Sequence, residues 1–111
     1  MPPIPMLRHK ADFEALARNG TARSTRLLVL RSLRTGRTET RVGLSTPRSL
    51  GGAVQRNTVR RRLRGLVRER LETIGPGWDL LLIARPEAAT ATYAELREAL
   101  GSLLERSGIG E

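Results

Sequence analysis

The chain has 111 residues, of which 20 are Lys or Arg and 11 are Asp or Glu, so its formal net charge is +9 at pH 7. This length predicts one domain, and the lack of Cys excludes disulfides, thiolate metal sites and a cysteine nucleophile. A single His argues against a His-based metal cluster or catalytic triad. No secretion signal is recognisable, and no apolar run approaches the ~20 residues that a membrane span needs, so a cytoplasmic protein is expected.

The N-terminal segment and the first helix come first along the chain. Residues 1–9 hold three Pro within their first five positions and are predicted to form a flexible arm. A helix is predicted over 10–18, because Phe13, Leu16 and Ala17 recur at i, i+3 and i+4, and Gly20 is a plausible stop.

Two predicted strands follow this helix. Residues 26–33 contain a short apolar run, and residues 39–45 alternate around Val42 and Leu44. A turn-forming sequence around Gly36 separates them, so an antiparallel hairpin is expected. A further short strand near Ser24 is left open.

The second half of the chain predicts a helix, a strand and a helix. The long helix covers about 54–71, and the strand covers 78–84 between glycine- and proline-containing breakers. The last helix starts at a capping box formed by Thr92 and Glu95 and ends near Gly108. The whole order predicts an α+β domain over 10–107, with a mixed sheet of about four strands, three helices and a tail over 108–111.

The long helix has two contrasting faces. Its apolar stripe consists of Val59, Leu63, Leu66 and Val67, which fall on one side at 100° per residue. Its remaining surface is almost continuously basic, and we call this set the arginine ridge: Arg56, Asn57, Arg60, Arg61, Arg62, Arg64 and Arg68. The ridge predicts a binding surface for a polyanion.

The distribution of charge supports this interpretation. Residues 1–72 hold 17 cations and 5 acids (net +12), whereas residues 73–111 hold 3 cations and 6 acids (net −3). Like charges at i, i+4 on a helix cost ~0.2–0.5 kcal/mol per pair, and no acid lies between Glu39 and Glu69 to offset them. A polyanion, most simply nucleic acid, is the expected partner, and an anionic membrane surface is the alternative.

Other classes of protein carry basic helices. A helix-turn-helix DNA binder would need a partner helix beside the basic one, but strands are predicted on both sides of it. A membrane-surface helix would favour aromatic side chains on its apolar face, and this stripe has none. We therefore expect neither DNA nor a membrane as partner, while a ribosomal or other structural RNA-binding protein remains an alternative.

Several segments together resemble the protein component of bacterial ribonuclease P. The matching sequences are RVGLS over 41–45, GGAVQRNTVRRRLR over 51–64 and DLLLIAR over 79–85, with further likeness in the first and last helices. The likeness covers about residues 7–107. It implies a fold related to that of a ribosomal protein, with a left-handed βαβ crossover around the basic helix.

The resemblance also implies a function. Members of the family bind the catalytic RNA of an endoribonuclease that removes the 5′ leader from precursor tRNA. The RNA carries the catalytic centre and its Mg²⁺ ions, so no catalytic or metal-binding side chain and no organic cofactor are expected in this chain.

The site residues follow from the same resemblance. Contacts with the RNA subunit fall on the arginine ridge. The single-stranded leader would lie in a cleft between the sheet and the first two helices, and its candidate residues are Phe13, Arg31, Arg41, Ser45 and Arg48.

The chain departs from the family pattern at four positions. Thr58 replaces an Arg, Gly52 replaces a frequent Asn, and Ala17 and Arg31 replace frequent aromatics of the cleft. Base–aromatic stacking contributes ~1–3 kcal/mol per base, so the leader is expected to be held here more by guanidinium–phosphate contacts.

Overall fold

The structure of the chain is a computed structural model that describes residues 4–110. Three helices and a four-stranded mixed sheet form one small domain, which confirms the predicted fold class. The elements are α1 (Lys10–Asn19), β1 (Thr21–Ser24), β2 (Leu28–Arg34), β3 (Arg41–Ser45), α2 (Ala53–Ile74), β4 (Trp78–Ala84) and α3 (Tyr93–Arg106). Short 3-10 helices cover Arg48–Leu50 and Pro86–Thr90.

The strand order is β1-β2-β4-β3, and the predicted β2–β3 hairpin is wrong. β4 lies between these two strands, pairing antiparallel with β2 and parallel with β3. β4 carries the most continuous apolar run of the sheet, and this composition suits a strand with a neighbour on each side. The short strand near Ser24, which the sequence pattern did not decide, is present as β1 and pairs antiparallel with β2.

Because β3 and β4 are parallel, the chain must cross from one end of the sheet to the other between them. α2 makes this crossover, so the arginine ridge lies on the connection between two adjacent strands. The left hand of the crossover stays a prediction of the family resemblance.

The main core lies between one face of the sheet and the helices α2 and α3. All four residues of the predicted apolar stripe are buried, with relative exposures of at most 4%. They pack with buried residues of the sheet and of α3, including Leu30, Val42, Leu82, Leu96, Leu100 and Leu103. The stripe therefore fixes which side of α2 faces the solvent.

The other face of the sheet is covered in part by α1. A Cβ at Gly43 would lie 3.0 Å from Phe13 Cε1 and 3.1 Å from Leu81 Cδ1, so Phe13 sits directly on the backbone of β3. Leu16 of α1 is completely buried. The domain thus has three layers, with α1 on one side of the sheet and α2 and α3 on the other.

The N-terminal segment differs from the expected flexible arm. Ile4 and Leu7 are buried, and residues 5–7 run parallel to β3, where Leu7 N donates to Val42 O (3.0 Å) and Val42 N donates to Pro5 O (2.9 Å). Residues 4–7 therefore belong to the packed domain, because they cover the outer edge of β3. Residues 1–3 of the predicted arm lie outside the described residues.

The C-terminal residues 108–110 also pack on the domain. Ile109 is buried, and its N–H donates to Leu104 O (2.9 Å). The predicted tail thus continues the packing of α3 through residue 110. Residue 111 lies outside the described residues.

Helix ends follow the sequence signals closely. At α3, Thr92 Oγ1 accepts from Glu95 N (3.1 Å) and Glu95 Oε1 accepts from Thr92 N (2.8 Å), which confirms the capping box. α1 ends before Gly20, where a Cβ would lie 2.5 Å from the carbonyl oxygen of Leu16, so only glycine fits. α2 runs to Ile74 and ends at Gly75, whose φ of 74° is favourable for glycine.

Candidate nucleic-acid interface

Arg61 and Arg64 form the exposed centre of the arginine ridge. Both side chains lie on the solvent side of α2, opposite the buried stripe. Among residues 4–110, neither guanidinium makes a hydrogen bond or an ion pair with another side chain. Their charge is therefore uncompensated within the described molecule, as required of a polyanion-binding surface.

Arg56 and Arg60 are held against the end of β3. Arg56 Nε donates to the carbonyl oxygen of Thr46 (3.0 Å), and Arg60 Nη2 donates to Thr46 Oγ1. Arg60 Nη1 also donates to Asn57 Oδ1 (3.1 Å). These contacts fix the direction of two guanidinium groups while leaving further N–H donors on each, because an Arg carries five.

The remaining members of the ridge differ from one another. Arg62 Nη1 donates to Ala91 O (3.2 Å), which ties α2 to the segment before α3. Arg68 is half-buried, and its Nε lacks a hydrogen-bond partner among the described residues. Glu69, the first acid after the ridge along α2, forms an ion pair with Arg97 of α3 (3.2 Å), so part of its charge is used there.

The predicted leader cleft maps to the sheet face that α1 covers. Arg31 lies beside Leu81, which lies beside Gly43, and Ser45 lies beside Ile83 in the next row. Arg31, Ser45, Leu81 and Ile83 are all half-buried, so α1 leaves this part of the face open to solvent. Phe13 borders it from α1 through its contact with Gly43.

One predicted cleft residue, Arg48, and one departure from the family pattern, Ala17, lie outside this floor. Arg48 is exposed on the short 3-10 helix beyond the end of β3. Ala17 is exposed on α1. The open floor is therefore formed by aliphatic side chains with Arg31 and Ser45, and Phe13 at its border supplies the aromatic ring.

Arg41, which is predicted to line the leader cleft, is bound by two acids. Its guanidinium donates from Nε to Asp79 Oδ1 (3.0 Å), from Nη2 to Asp79 Oδ2 (2.7 Å), and from Nη1 and Nη2 to the two oxygens of Asp12 (3.2 Å each). The side chain is only 14% exposed. The hydrogen bonds with Asp79, and then those with Asp12, raise the pKa of Arg41 above its ordinary value.

These contacts make Arg41 a clamp between α1, β3 and β4, and leave little of it for a nucleotide. We name Arg41, Asp12 and Asp79 the arginine clamp. Sequence reasoning missed the two acids, because they lie 29 and 38 positions away from Arg41. Asp79 was visible in the sequence as the first residue of the DLLLIAR segment, but no pattern there paired either acid with Arg41.

The described residues provide neither a metal cluster nor a membrane-spanning helix. Residues 4–110 contain no group of three or more His, Cys, Asp and Glu side chains placed to hold a metal ion. In the same residues, no helix combines the length and the apolar character needed to cross a membrane.

Comparisons with known proteins agree on one family. The family model described as Ribonuclease P matches residues 1–108. Two similar proteins are named Ribonuclease P protein component. The one from Roseiflexus sp. (strain RS-1) is 36% identical to this chain, and the match covers 93% of this chain and 85% of that protein. The one from Streptomyces avermitilis is 37% identical, and the match covers 90% of this chain and 89% of that protein.

Solved structures of the same kind of protein share the fold. The RNase P protein of Thermotoga maritima superposes with a TM-score of 0.81 at 27% identity, covering 91% of this chain and 96% of that one. The RNase P protein of Staphylococcus aureus gives a TM-score of 0.87 at 24% identity, covering 96% and 97%.

Proposed function

Because this chain belongs to the ribonuclease P protein family, and so to the tRNA-processing subunits, we propose that it binds the RNA subunit of the enzyme through the arginine ridge of α2. The single observation that carries the proposal is the exposed pair Arg61 and Arg64, which have no acidic partner among residues 4–110. Guanidinium groups at this spacing suit successive phosphates of a folded RNA.

The fixed arginines support the same proposal. Arg56 and Arg60 are oriented by Thr46 before any ligand arrives, so less side-chain entropy is lost when they bind. Since α2 packs through its apolar stripe, the ridge is also presented on a rigid element. We therefore propose direct contacts from all seven members of the ridge to RNA.

The second part of the proposal is the leader cleft. The 5′ leader of precursor tRNA would lie on the open sheet face, with Arg31 and Arg48 contacting phosphates, Ser45 donating a hydrogen bond, and Phe13 stacking on one base. This arrangement rests on the half-buried floor beside Phe13. Arg41 acts there as part of the clamp that holds α1 in place.

The chemistry of cleavage is proposed to lie in the RNA. Mg²⁺ ions bound by that RNA would activate water for hydrolysis of the phosphodiester, while the protein holds the RNA subunit and the precursor tRNA together. We propose that this takes place in the cytoplasm.

A reconstitution assay tests the proposal. The purified protein is mixed with the ribonuclease P RNA of its own cell and a precursor tRNA at low Mg²⁺ concentration, and 5′ cleavage is measured. The protein should accelerate cleavage over RNA alone. If the rate is unchanged, the processing role fails, and binding of the RNA subunit without acceleration would favour a structural RNA-binding protein.

The ridge itself is tested by salt dependence. Replacing Arg61 and Arg64 with Ala should weaken binding of the RNA subunit and flatten the log–log salt slope by up to about one per lost phosphate contact. The matched control replaces Arg26 and Arg37, two exposed arginines outside α2, and removes the same charge. Equal effects of both variants would mean that only net charge matters.

A further inference from the structure

The N-terminal segment brings a further arginine to α2. Residues 5–7 pair with β3 as an additional edge strand, so side chains alternate between the two faces of the sheet. Leu7 faces α1, near Gly43. Met6 and Arg8 face the other way and line a cleft together with Ile4 and two residues of α2, Arg64 and Arg68.

The charged residues that line this cleft are all arginines. It has a volume of about 210 Å³. Three arginines border it, and none of the acids among residues 4–110 does. None of the three arginines forms an ion pair with a described residue. The Nε of Arg68 is buried and has no hydrogen-bond partner among residues 4–110. A buried donor without an acceptor is costly unless a ligand or water satisfies it.

We infer that Arg8, Arg64 and Arg68 form a site for one backbone phosphate of the bound RNA. The inference rests on the proposed function and extends the interface from α2 to the N-terminal segment. Phosphate is the anion that several guanidinium forks bind best, because each fork can donate two parallel hydrogen bonds to its oxygens. The apolar Ile4 and Met6 line one side of the cleft, and hydrogen bonds are stronger beside apolar surroundings than in bulk water.

The location of Arg8 is set by the fold. Ile4 is 7% exposed and Leu7 is 6% exposed, so the segment before Arg8 is anchored at two points. Arg8 itself is exposed and makes no ion pair with a described residue. A substitution of Arg8 therefore removes a ligand contact without opening the core.

Arg8→Gln in the full chain tests the site by affinity for the ribonuclease P RNA across a salt series. Loss of one charged contact should lower the affinity about tenfold and reduce the log–log salt slope by about 0.7–0.9. Arg8→Lys should keep the slope and recover only part of the affinity, because it keeps the charge without the fork. Arg37→Gln is the matched control, and its effect should stay below roughly twofold.

A phosphate titration separates the two possible sources of the anion. The Nε–H signal of Arg68 is followed by NMR as inorganic phosphate is added to the protein alone. A saturable shift in the wild type that is lost in Arg8→Gln supports a built anion site. If that shift occurs but Arg8→Gln leaves RNA affinity unchanged, the site takes free phosphate and the assignment to RNA is overturned.

A third variant distinguishes failure of this inference from failure of the proposed function. Arg61→Ala removes an exposed ridge charge outside the cleft. If Arg61→Ala weakens RNA binding and Arg8→Gln does not, the phosphate site is wrong and the ridge stands. If neither variant changes RNA binding, the proposed use of the ridge has failed as well.

Discussion

Replacing Asp79 with Ala should destabilise the domain by about 3 kcal/mol, because it removes the main partner of a largely buried Arg41. Asp79 has a side-chain exposure of 4% and accepts two hydrogen bonds from Arg41, at 3.0 and 2.7 Å. Hydrogen bonds to charged groups contribute ~1.5–3 kcal/mol each, and removing one partner of a buried pair typically costs ~3–5 kcal/mol. Because Asp12 still pairs with Arg41 in this variant, the expected loss of stability lies at the lower end of that range.

Asp12→Ala provides the internal comparison. Asp12 is 19% exposed and its two contacts with Arg41 are longer, at 3.2 Å. Solvent screens this half of the clamp more, so a loss of about 1–2 kcal/mol is expected. A domain of this size has a stability of ~5–15 kcal/mol, so both variants should still fold.

The measurement is urea unfolding followed by circular dichroism, with the midpoint and slope fitted for wild type, Asp79→Ala and Asp12→Ala. Asp79→Asn, which keeps the shape and one acceptor oxygen, should fall between wild type and Asp79→Ala. A loss below about 1 kcal/mol for Asp79→Ala, or equal losses for the two Ala variants, would refute the view that burial makes Asp79 the dominant partner.

Three further predictions concern α3 and the cleft. Thr92→Ala should cost about 1 kcal/mol of stability, measured by urea unfolding, because it removes half of the capping box. The backbone N–H of Thr92 lowers the pKa of Glu95 below its ordinary 4.5, so the stability that Glu95 contributes is present above pH 4.5 and is lost as pH falls through the lowered value. The difference in unfolding midpoint between wild type and Glu95→Ala should therefore be larger at pH 6 than at pH 3, and equal differences would contradict this. Gly43→Ala places a Cβ 3.0 Å from Phe13 and should weaken binding of leader-bearing precursor tRNA, measured by filter binding, more than binding of the RNA subunit.

The main helices and strands, and the buried face of α2, could be predicted from the sequence. The stripe from Val59 to Val67 is buried as predicted, because helical periodicity alone determines which side chains share a face. The strand over Trp78–Ala84 has the predicted bounds, since strong breakers flank it.

Strand pairing could not be predicted in the same way. The run in β2 and the alternation in β3 indicate strands, but neither pattern specifies a neighbour. β4 takes the place between them, since its apolar residues gain most from two neighbouring strands. A connection of six residues between Arg34 and Arg41 also lacks the tight turn that defines a hairpin.

The roles of individual cations were equally hidden. Arg41 and Arg61 are the same residue type in one basic segment, yet Arg41 is clamped by two acids and Arg61 is exposed. Only tertiary packing brings Asp12 and Asp79 to Arg41. The prolines before Ile4 suggested a flexible arm, although Ile4 and Leu7 had side chains suited to burial.

The free edge of β1 has a consequence for self-association. An exposed strand edge offers unpaired backbone groups to any second chain, and this is a common start of aggregation. β1 is only four residues long and carries Arg23, while Arg106 and Arg85 donate to the carbonyl oxygens of Ser24 and Thr25 at its end (3.1 and 3.3 Å). A second molecule approaching this edge would meet three arginine side chains, and two of the carbonyl oxygens there already accept hydrogen bonds. The same excess of arginine that suits the domain to a polyanion thus also keeps its copies from adding to one another strand by strand.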